Sequence, residues 1–304
     1  MPTIVLDCDP GHDDALAMML AAADPAVELL AISTVAGNQT LEKTTLNARR
    51  VCDIAGIAGV PVVAGLSGTG IVAADVHGES GIDGPRFGPV RTPLTSTDAV
   101  GYLVGLLRSR PEPVTVVATG PLTNVAALLA TAPATVERVV FMGGSTGNGN
   151  VTPYAEFNVF ADPEAADAVV RSGVPVTMVG LDVTHQALAD DDVCARIAAI
   201  GSPLATTCVE LLRFFGSTYR DIWGFPAPPL HDPVAVAHVL DPTLVPTVHT
   251  RLDVELTGTY TRGATVVDKY RRTGRPANAH VAVGLDVPRF WDRMTGAIRA
   301  LSAR

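Results

Sequence analysis

Short apolar runs alternate with helical segments along the first two thirds of the chain. The runs are TIVLD, VELLAISTV, VTVVA, RVVFM and VPVTMVGL, and each leads into a polar turn. Runs of this length, rich in β-branched residues, are typical of strands that are buried on both faces of a parallel sheet. Their alternation with helices predicts an α/β fold: an open, mostly parallel, Rossmann-like sheet flanked by helices.

Residues that typically begin and end helices and strands support the same interpretation. In ADPEAADAVVRSG, Asp162 can cap a helix, Pro163 suits the first helical position and Gly173 can end the helix. Nearer the C-terminus, residues 251–270 alternate around a Thr-Gly turn, which predicts a small β-hairpin. A last strand, HVAVGLDV, then precedes an amphipathic helix.

Composition narrows the class of protein. Hydrophobic residues make up 47% of the 304 residues, so the chain can bury a large core. The formal net charge of -9 argues against nucleic acid polymers, which need a basic surface against their phosphates. Charges, Gly or Pro interrupt every apolar run before it reaches membrane-spanning length, so no membrane partner is expected. Because the chain has no low-complexity linker and no internal repeat, we expect residues 1–304 to form a single domain.

The four cysteines are Cys8, Cys52, Cys194 and Cys208, and they form no C-x-x-C pair. Such scattered cysteines are typical of reduced thiols rather than of a disulfide framework. The chain runs from its first residues directly into a strand, without the pattern of a signal peptide. These features favour a cytoplasmic protein.

The acidic turn DCDPGHDD, at residues 7–14, is the most informative segment. Asp7 and Asp9 lie on one face of an extended chain, because side chains alternate there with a period of two. Asp13 and Asp14 follow at the start of a helix, where the helix dipole favours carboxylates. Four neighbouring carboxylates repel one another, and a hard cation with oxygen ligands, Ca²⁺ or Mg²⁺, would relieve that repulsion.

A solvated turn that caps a helix is the alternative interpretation of this segment. Its position favours a site, because ligands of open α/β sheets bind outside the carboxyl ends of the strands. The spacing excludes an EF-hand loop: counting from Asp7, the sixth residue is His12 instead of Gly, and the twelfth is Met18 instead of Glu.

The acidic turn resembles the D-x-D-x-G-x-D-D signature of the nucleoside hydrolases, which include inosine-uridine-preferring and pyrimidine-specific enzymes. The resemblance continues in order through AGNQT, HGESGIDG, TGPLTN, MGG, AEFN, ADPEAA, GLDVTHQ and HDP, and it covers essentially the whole chain. It implies an enzyme that uses water to split a ribonucleoside into free base and ribose. It also implies a homodimer or homotetramer.

A calcium site follows from the same resemblance. The matching ligands are Asp9, Asp14, the carbonyl oxygen of Thr119 and Asp232, and all of them are oxygen donors, as calcium requires. Asp9 would also be the base toward the attacking water. C–N cleavage passes through an oxocarbenium-like sugar and needs a neutralised leaving group. His231 would be the acid that protonates the departing base, because a histidine can carry a proton near neutral pH.

The resemblance also implies nine positions that contact the nucleoside. Two match the 2′ and 3′ side of the ribose (Asp13 and Asn38), three match the 3′ and 5′ hydroxyls (Asn150, Glu156 and Asn158), and four surround the sugar and base (His77, Met142, Phe157 and Tyr219). Taken singly, the Gly-Asn pair that contains Asn38 is equally typical of an ordinary turn. The AEFN segment is equally typical of a loop beside a helix.

Aromatic residues are scarce, yet five of them lie within residues 214–225. Phe215, Tyr219 and Trp223 are spaced at i, i+4 and i+8, which places them on one face of a helix. This stripe is either part of the core or a stacking wall over the nucleobase, on a mobile helix that closes the site.

Base preference depends on few positions. His12 and the stretch WGFPAPPLHDP resemble the pyrimidine-preferring branch of the family. The inosine-uridine branch commonly has an apolar residue at the position of His12, and tyrosines in the region of Phe215 and Tyr219. The sequence therefore favours uridine and cytidine, with inosine as the alternative.

Two other functions remain open at this point. A magnesium-dependent phosphatase of the haloacid dehalogenase type also places D-x-D after its first strand, but it does not account for HDP or AEFN. A non-catalytic nucleoside-binding protein on the same scaffold is the second alternative. Such a protein would have no need for a base at Asp9 or an acid at His231.

Overall fold

Eleven strands and twelve α-helices form in residues 2–304, the part of the chain that this computed structural model describes. The strands are Thr3–Cys8 (β1), Glu28–Thr34 (β2), Val62–Ala64 (β3), Leu94–Ser96 (β4), Val114–Ala118 (β5), Val136–Met142 (β6), Val176–Val179 (β7), Thr247–Thr250 (β8), Leu252–Val254 (β9), Thr265–Val267 (β10) and Ala279–Ala282 (β11). The helices are His12–Ala23 (α1), Leu41–Ala55 (α2), Ala74–His77 (α3), Ala99–Arg108 (α4), Thr123–Thr131 (α5), Phe157–Ala161 (α6), Pro163–Val170 (α7), Leu181–Thr184 (α8), Asp191–Ala198 (α9), Pro203–Trp223 (α10), Asp232–Leu240 (α11) and Val287–Ser302 (α12), with a 3-10 turn at Pro133–Thr135.

Nine strands form one sheet in the order β4-β3-β2-β1-β5-β6-β7-β11-β8. Neighbouring strands are parallel, except that β8 runs antiparallel to β11. The remaining two strands, β9 and β10, form a small antiparallel hairpin near the C-terminus. The predicted α/β architecture, a mostly parallel sheet with a C-terminal hairpin, is confirmed.

Alternation along β1 shows why the sheet is covered on both faces. Ile4, Leu6 and Cys8 pack into one apolar core, whereas Val5 packs into a second core on the other face. Both cores consist largely of aliphatic side chains with almost no exposed surface. A strand with two buried faces reads as a continuous apolar run, which is why the sequence pattern revealed it.

Helix α1 is buried along nearly its whole length, including its polar first turn. It packs against α11 and α12 on one face of the sheet. A helix that is apolar on every side is buried in the interior, which explains the burial of residues 15–21. The first turn differs, because His12, Asp13 and Asp14 are buried there as well. Burying ionisable side chains costs folding free energy, and such groups cluster at functional sites. This turn is therefore a candidate site.

The ends of the helices and the positions of the strands were predicted in part. Asp162 accepts a hydrogen bond from the Ala165 amide at 3.1 Å, and the helix begins at Pro163, as expected. That helix ends at Val170 rather than at Gly173, which lies in the turn beyond it with a φ of +83°. Strands β3, β4 and β8 were not predicted: β4 (LTS) and β8 (TVHT) are partly exposed and lack an apolar run, and β3 has only three residues.

The four cysteines carry free thiols in this fold. Among the helices of residues 2–304, none combines the length with the apolar character that crossing a bilayer would require.

Candidate active site

Chemically active side chains collect at one edge of the sheet, beyond the carboxyl ends of its central strands. Asp9 follows β1, Asn38 follows β2, Thr119 follows β5 and Met142 ends β6. Strand order reverses between β1 and β5, since β2 lies on one side of β1 and β5 on the other. A crevice opens at such a reversal, and ligands of open α/β sheets bind there.

Three carboxylates lie close together in this crevice. Asp13, Asp14 and Asp232 each offer one oxygen, and these oxygens lie within 4.8 Å of one another. All three residues are buried, with at most 4% of their surface exposed. Carboxylates this close cannot all be ionised without a compensating cation.

Asp9 lies beside this cluster and faces Asp14. Its backbone amide donates to Asp14 Oδ1 at 3.3 Å, and its Oδ2 accepts a hydrogen bond from the Asn38 amide at 2.7 Å. Its other oxygen, Oδ1, is buried and has no hydrogen-bond partner in the described part of the chain. A buried carboxylate oxygen without a partner is costly, so Oδ1 of Asp9 is an open ligand position.

The pKa values of these groups reflect burial and mutual repulsion. Burial, followed by the charge of Asp14, raises the pKa of Asp9 well above its usual range and that of Asp13 to about 7. Burial, followed by the charges of its acidic neighbours, also raises the pKa of Asp232 well above its usual range. Without a cation these shifts favour the protonated carboxyls, and a bound cation would stabilise their ionised forms.

Asp14 is held by four donors from three parts of the chain. Its Oδ2 accepts from the Gly11 amide at 3.0 Å and from Asn38 Nδ2 at 2.8 Å. Its Oδ1 accepts from Thr119 Oγ1 at 2.7 Å, besides the Asp9 amide. Such donors favour the ionised carboxylate and fix its orientation, which a ligand to a metal ion requires.

The Thr119 carbonyl oxygen is presented at the same place. It accepts a hydrogen bond from Asn158 Nδ2 at 2.8 Å. A carbonyl oxygen has two lone pairs, so one remains free for a cation. Asn158 Nδ2 also donates to the carbonyl of Met142 at 3.2 Å, which ties the ends of β5 and β6 together.

Asp7 has a different role from its acidic neighbours. Its Oδ1 accepts hydrogen bonds from Ser33 Oγ and from Asn124 Nδ2, the latter at 2.8 Å. Asp7 therefore joins β1 to β2 and to α5, away from the Asp13, Asp14 and Asp232 oxygens. The sequence grouped it with the other acids because it cannot show which face of the turn each side chain meets.

His231 is held at both ring nitrogens. Nδ1 lies 2.7 Å from Thr184 Oγ1, and Nε2 lies 2.6 Å from the Tyr219 hydroxyl. Burial, followed by the nearby ring of His185, lowers the pKa of His231 well below its usual range. The ring orientation is thus fixed, and the Tyr219 hydroxyl stands in hydrogen-bond contact with Nε2. Thr184 was not singled out from the sequence, although it lies within the quoted GLDVTHQ motif.

A cavity of about 300 Å³ opens above these groups. All nine positions expected to contact a nucleoside line it, together with three residues of the expected metal and acid sets (Thr119, His231 and Asp232). Asp9 and Asp14 lie deeper and do not reach the cavity surface. Apolar residues that sequence reasoning missed form much of the upper wall: Ile71, Val72, Ala73, Val76 and Ile222. A polar floor beneath an apolar wall is typical of a small-molecule site.

Backbone amides fix the orientation of the Glu156 carboxylate. It precedes helix α6, and Oε1 accepts from the Asn158 amide at 2.8 Å. Oε2 accepts from the amides of Gly144 at 2.8 Å and Val159 at 3.2 Å. Burial raises the pKa of Glu156 to about 7, and these three amides oppose that rise. The carboxylate is therefore held rigidly at the cavity wall before any ligand arrives.

The aromatic stripe on α10 divides between core and cavity. Phe215 is buried and lies against the rings of His12 and His77, at centroid distances of 5.3 and 5.2 Å. Tyr219 and Trp223 line the cavity, with ring centroids 4.6 Å apart. Trp223 Nε1 also donates to the Asn150 carbonyl at 3.2 Å. Phe215 therefore belongs to the core, whereas stacking of Tyr219 and Trp223 on a nucleobase and closure by a mobile helix stay predictions.

Known proteins resemble this chain over nearly its full length. The family model described as inosine-uridine preferring nucleoside hydrolase matches residues 4–292. A pyrimidine-specific ribonucleoside hydrolase, RihA of Shewanella sp. (strain ANA-3), is 47% identical over 303 residues, which cover 97% of this chain and 95% of that protein. RihA of Citrobacter koseri is 48% identical over 298 residues, which cover 95% of each.

Solved structures agree with these relatives. The purine-preferring ribonucleoside hydrolase from Gardnerella vaginalis superposes with a TM-score of 0.91 at 34% identity, covering 99% of both chains. A plant nucleoside hydrolase, PpNRh1, superposes with a TM-score of 0.89 at 28% identity, covering 100% of this chain and 99% of that one. From the family match and the identity to these relatives, the chain belongs to the inosine-uridine preferring nucleoside hydrolase family, whose members are N-glycosyl hydrolases.

Proposed function

We propose that the protein hydrolyses the N-glycosidic bond of pyrimidine ribonucleosides in a calcium-dependent reaction, with uridine and cytidine as substrates and inosine as a weaker one. One observation carries the proposal: a cluster of buried carboxylates lies at the floor of a nucleoside-sized cavity lined by ribose-binding groups. The RihA relatives, whose names specify pyrimidines, support this base preference.

The donor set suits a hard cation. Asp9, Asp14, Asp232 and the Thr119 carbonyl offer only oxygen atoms, which is the preference of calcium. Such an ion would give the unpartnered Oδ1 of Asp9 a partner. It would also reduce the repulsion between the close carboxylate oxygens of Asp14 and Asp232. When bound, calcium would neutralise the cluster and lower the pKa of a neighbouring water. Asp13 shares the cluster and reaches the cavity, so we assign it to the ribose hydroxyls.

Asp9 is the proposed base. Its Oδ1 is the carboxylate oxygen that no protein group occupies, so it can accept the proton of the attacking water. Its Oδ2 is held by the Asn38 amide at 2.7 Å, which keeps the carboxylate from rotating away. Water attacks the anomeric carbon, the C–N bond breaks, and the base leaves with a proton from the opposite side of the sugar.

His231 is the proposed acid, and it acts through Tyr219. Hydroxyl oxygens of Thr184 and Tyr219 can accept both N–H groups of a protonated ring, so the geometry accommodates the charge that burial disfavours. A proton passes from His231 Nε2 to the Tyr219 oxygen while the Tyr219 hydroxyl proton passes to the leaving base. Both residues line the cavity, but the Tyr219 hydroxyl occupies His231 Nε2, so the proton would reach the ligand through that hydroxyl.

Ribose would be gripped by groups that are already in place. Glu156 is held by three backbone amides, and Asn150 Oδ1 accepts from the Phe157 amide at 2.9 Å. Rigid polar groups lose little entropy on binding, which favours positioning of the sugar for attack. The homodimer or homotetramer and the single domain of residues 1–304 stay predictions.

The first experiment measures ribose released from uridine, cytidine, inosine and adenosine, with and without a calcium chelator. We expect release that is fastest from uridine and cytidine, that the chelator abolishes and that added calcium restores. A phosphomonoester serves as the control substrate. Phosphate release from that ester without ribose release from any nucleoside would support the phosphatase alternative. Nucleoside binding without ribose release would support a non-catalytic binding protein.

A further inference from the structure

A second pocket, of about 330 Å³, lies next to the cavity behind a shared wall. Asn150, Tyr219 and Trp223 line both spaces, whereas the buried carboxylates at the floor of the cavity are not among the described residues that line the second pocket. We propose that the second pocket binds a free pyrimidine base after the base has left the ribose. The inference rests on the proposed function, because it assigns a site to one product of that reaction.

Aromatic rings form much of the second pocket. Tyr219, Trp223 and Phe225 line it together with the imidazole of His185. Aromatic residues make up only 5% of the chain, so three of them around one small pocket are a local concentration. The centroid of the Phe225 ring lies 5.0 Å from that of His185 and 5.7 Å from that of Tyr219. Rings arranged around a small space favour a planar ligand that stacks on them.

Polar groups of the second pocket complement the edge of a pyrimidine base. The exposed Asp182 carboxylate lines the pocket, and its Oδ2 accepts from the Thr146 amide at 2.6 Å. A carboxylate accepts hydrogen bonds, which suits the ring N–H groups of uracil. The Asn148 amide lines the pocket as well and offers donors to the carbonyl oxygens of a base. The negative charge of Asp182 disfavours a phosphate or another anion in this place.

A hydrogen bond and an aromatic contact hold the shared wall. Trp223 Nε1 donates to the Asn150 carbonyl at 3.2 Å, and the Trp223 ring lies 4.6 Å from that of Tyr219. Trp223 is half-buried and is the last residue of α10, and helix ends fray. A turn of its side chain would join the two spaces. Since the Tyr219 hydroxyl is the proposed donor to the leaving base, the second pocket begins where the base is released.

The first test measures binding without turnover. Uracil is titrated calorimetrically into the calcium-loaded protein, and we expect saturable binding. Phe225→Ala removes a stacking face, and Asp182→Asn leaves a single acceptor oxygen that the Thr146 amide occupies, so each change should weaken uracil binding about tenfold. Tyr260→Ala removes an exposed aromatic residue outside both pockets and should have no effect. Absence of saturable binding, or an affinity that survives both changes, would overturn the proposal.

The second test separates the two pockets by kinetics. Initial rates on uridine without added base depend on the cavity, so kcat and KM should change by less than about twofold in Phe225→Ala and Asp182→Asn. Inhibition by added uracil depends on the second pocket, so its inhibition constant should rise about tenfold in both. Binding of ribose, which lacks a base, should stay unchanged. A KM that rises together with the inhibition constant would place both residues in the cavity's own base site and overturn the proposal.

The two variants guard against different artefacts. Phe225 packs against Tyr219, so its loss reaches the proposed acid. Asp182→Asn avoids that contact, because among residues 2–304 the Asp182 side chain bonds only to Ser145 and Thr146. When Phe225→Ala slows uridine cleavage, Asp182→Asn decides the proposal by itself. A protein that turns over no nucleoside would refute the proposed function, while the calorimetry would still decide whether the second pocket binds a base.

Discussion

The two sides of the cavity are built on different physical principles. On the acidic side, Asp9, Asp13 and Asp14 lie within six residues of one turn, and only Asp232 comes from a distant segment. On the imidazole side, Thr184, Tyr219 and His231 come from three separate helices or helix ends and are linked by contacts of 2.7 and 2.6 Å. Ionisable carboxylates are concentrated on the acidic side, whereas hydrogen bonds fix the orientation of a ring on the imidazole side.

This difference shows which properties each side can supply. The acidic side is unstable by itself, because burial and repulsion raise the pKa values of Asp9 and Asp232. It therefore depends on a cation. The imidazole side is satisfied within the protein, because both nitrogens of His231 have partners. It therefore needs no cation, and in the proposed reaction it would act on the leaving base alone. Changes on the two sides should be separable by experiment.

The largest effect is expected from Asp9→Ala. Loss of the base and of one metal ligand should reduce turnover by a factor of roughly 1,000 or more and should weaken calcium binding. In the presence of a chelator the variant should be at least as stable as the parent protein, because it lacks one buried, repelling carboxylate. Turnover is measured by ribose release and stability by thermal unfolding.

Glu112→Ala is the matched control for this variant, since Glu112 is an exposed acid outside the cavity. It should change neither turnover nor calcium binding. An active Asp9→Ala enzyme that still binds calcium would refute the assignment of the acidic side.

A smaller effect is expected from His231→Ala. Uridine cleavage should slow by about 100-fold or more, because the departing base must be protonated. A riboside of nitrophenol should be far less affected, because its leaving group needs no proton. Calcium stabilisation should stay unchanged, since the metal ligands are intact.

His249→Ala is the control for this variant, because His249 is an exposed histidine outside the cavity. Equal losses on uridine and on the nitrophenyl riboside would remove His231 from the role of acid. A loss of calcium binding would show that the two sides are not separable.

The smallest of the three effects is expected from Thr184→Val. This change keeps the size of the side chain and removes the partner of His231 Nδ1, which lies 2.7 Å away. Loss of one such hydrogen bond is worth about 1.4 kcal/mol, or roughly tenfold in uridine turnover. The nitrophenyl riboside should again be spared.

Thr218→Val is the control for Thr184→Val, because among residues 2–304 the Thr218 hydroxyl bonds only to the backbone of its own helix. Identical kinetics for both threonine variants would show that Thr184 has no part in orienting His231.

The fold was predictable where strands lie in apolar runs of the sequence. Strands β1, β2, β5, β6 and β7 are continuous apolar runs, and these five place the site. Strands β4 and β8 are partly exposed and β3 has only three residues, so the pairing of these strands depends on their neighbours rather than on an apolar run of their own. The hairpin near the C-terminus was recognised from alternation around its turn.

The candidate site was predictable where its groups are adjacent in sequence. Asp9, Asp13 and Asp14 share one turn, so their repulsion follows from spacing alone. Thr184 was missed because nothing near it in the sequence indicates a contact with His231, 47 residues away. The apolar upper wall was missed as well, since Ile71 and Val76 read as ordinary loop and helix residues.

By itself, the sequence set the order of buried strands and helices and the concentration of acid after the first strand. Those properties are local, because they follow from alternation of apolar residues and from spacing along the chain. Tertiary structure decided which oxygen of Asp9 stays free and which atoms bracket His231. Those properties are directional: a hydrogen bond depends on the positions of two groups, and folding brings these groups together from distant parts of the chain.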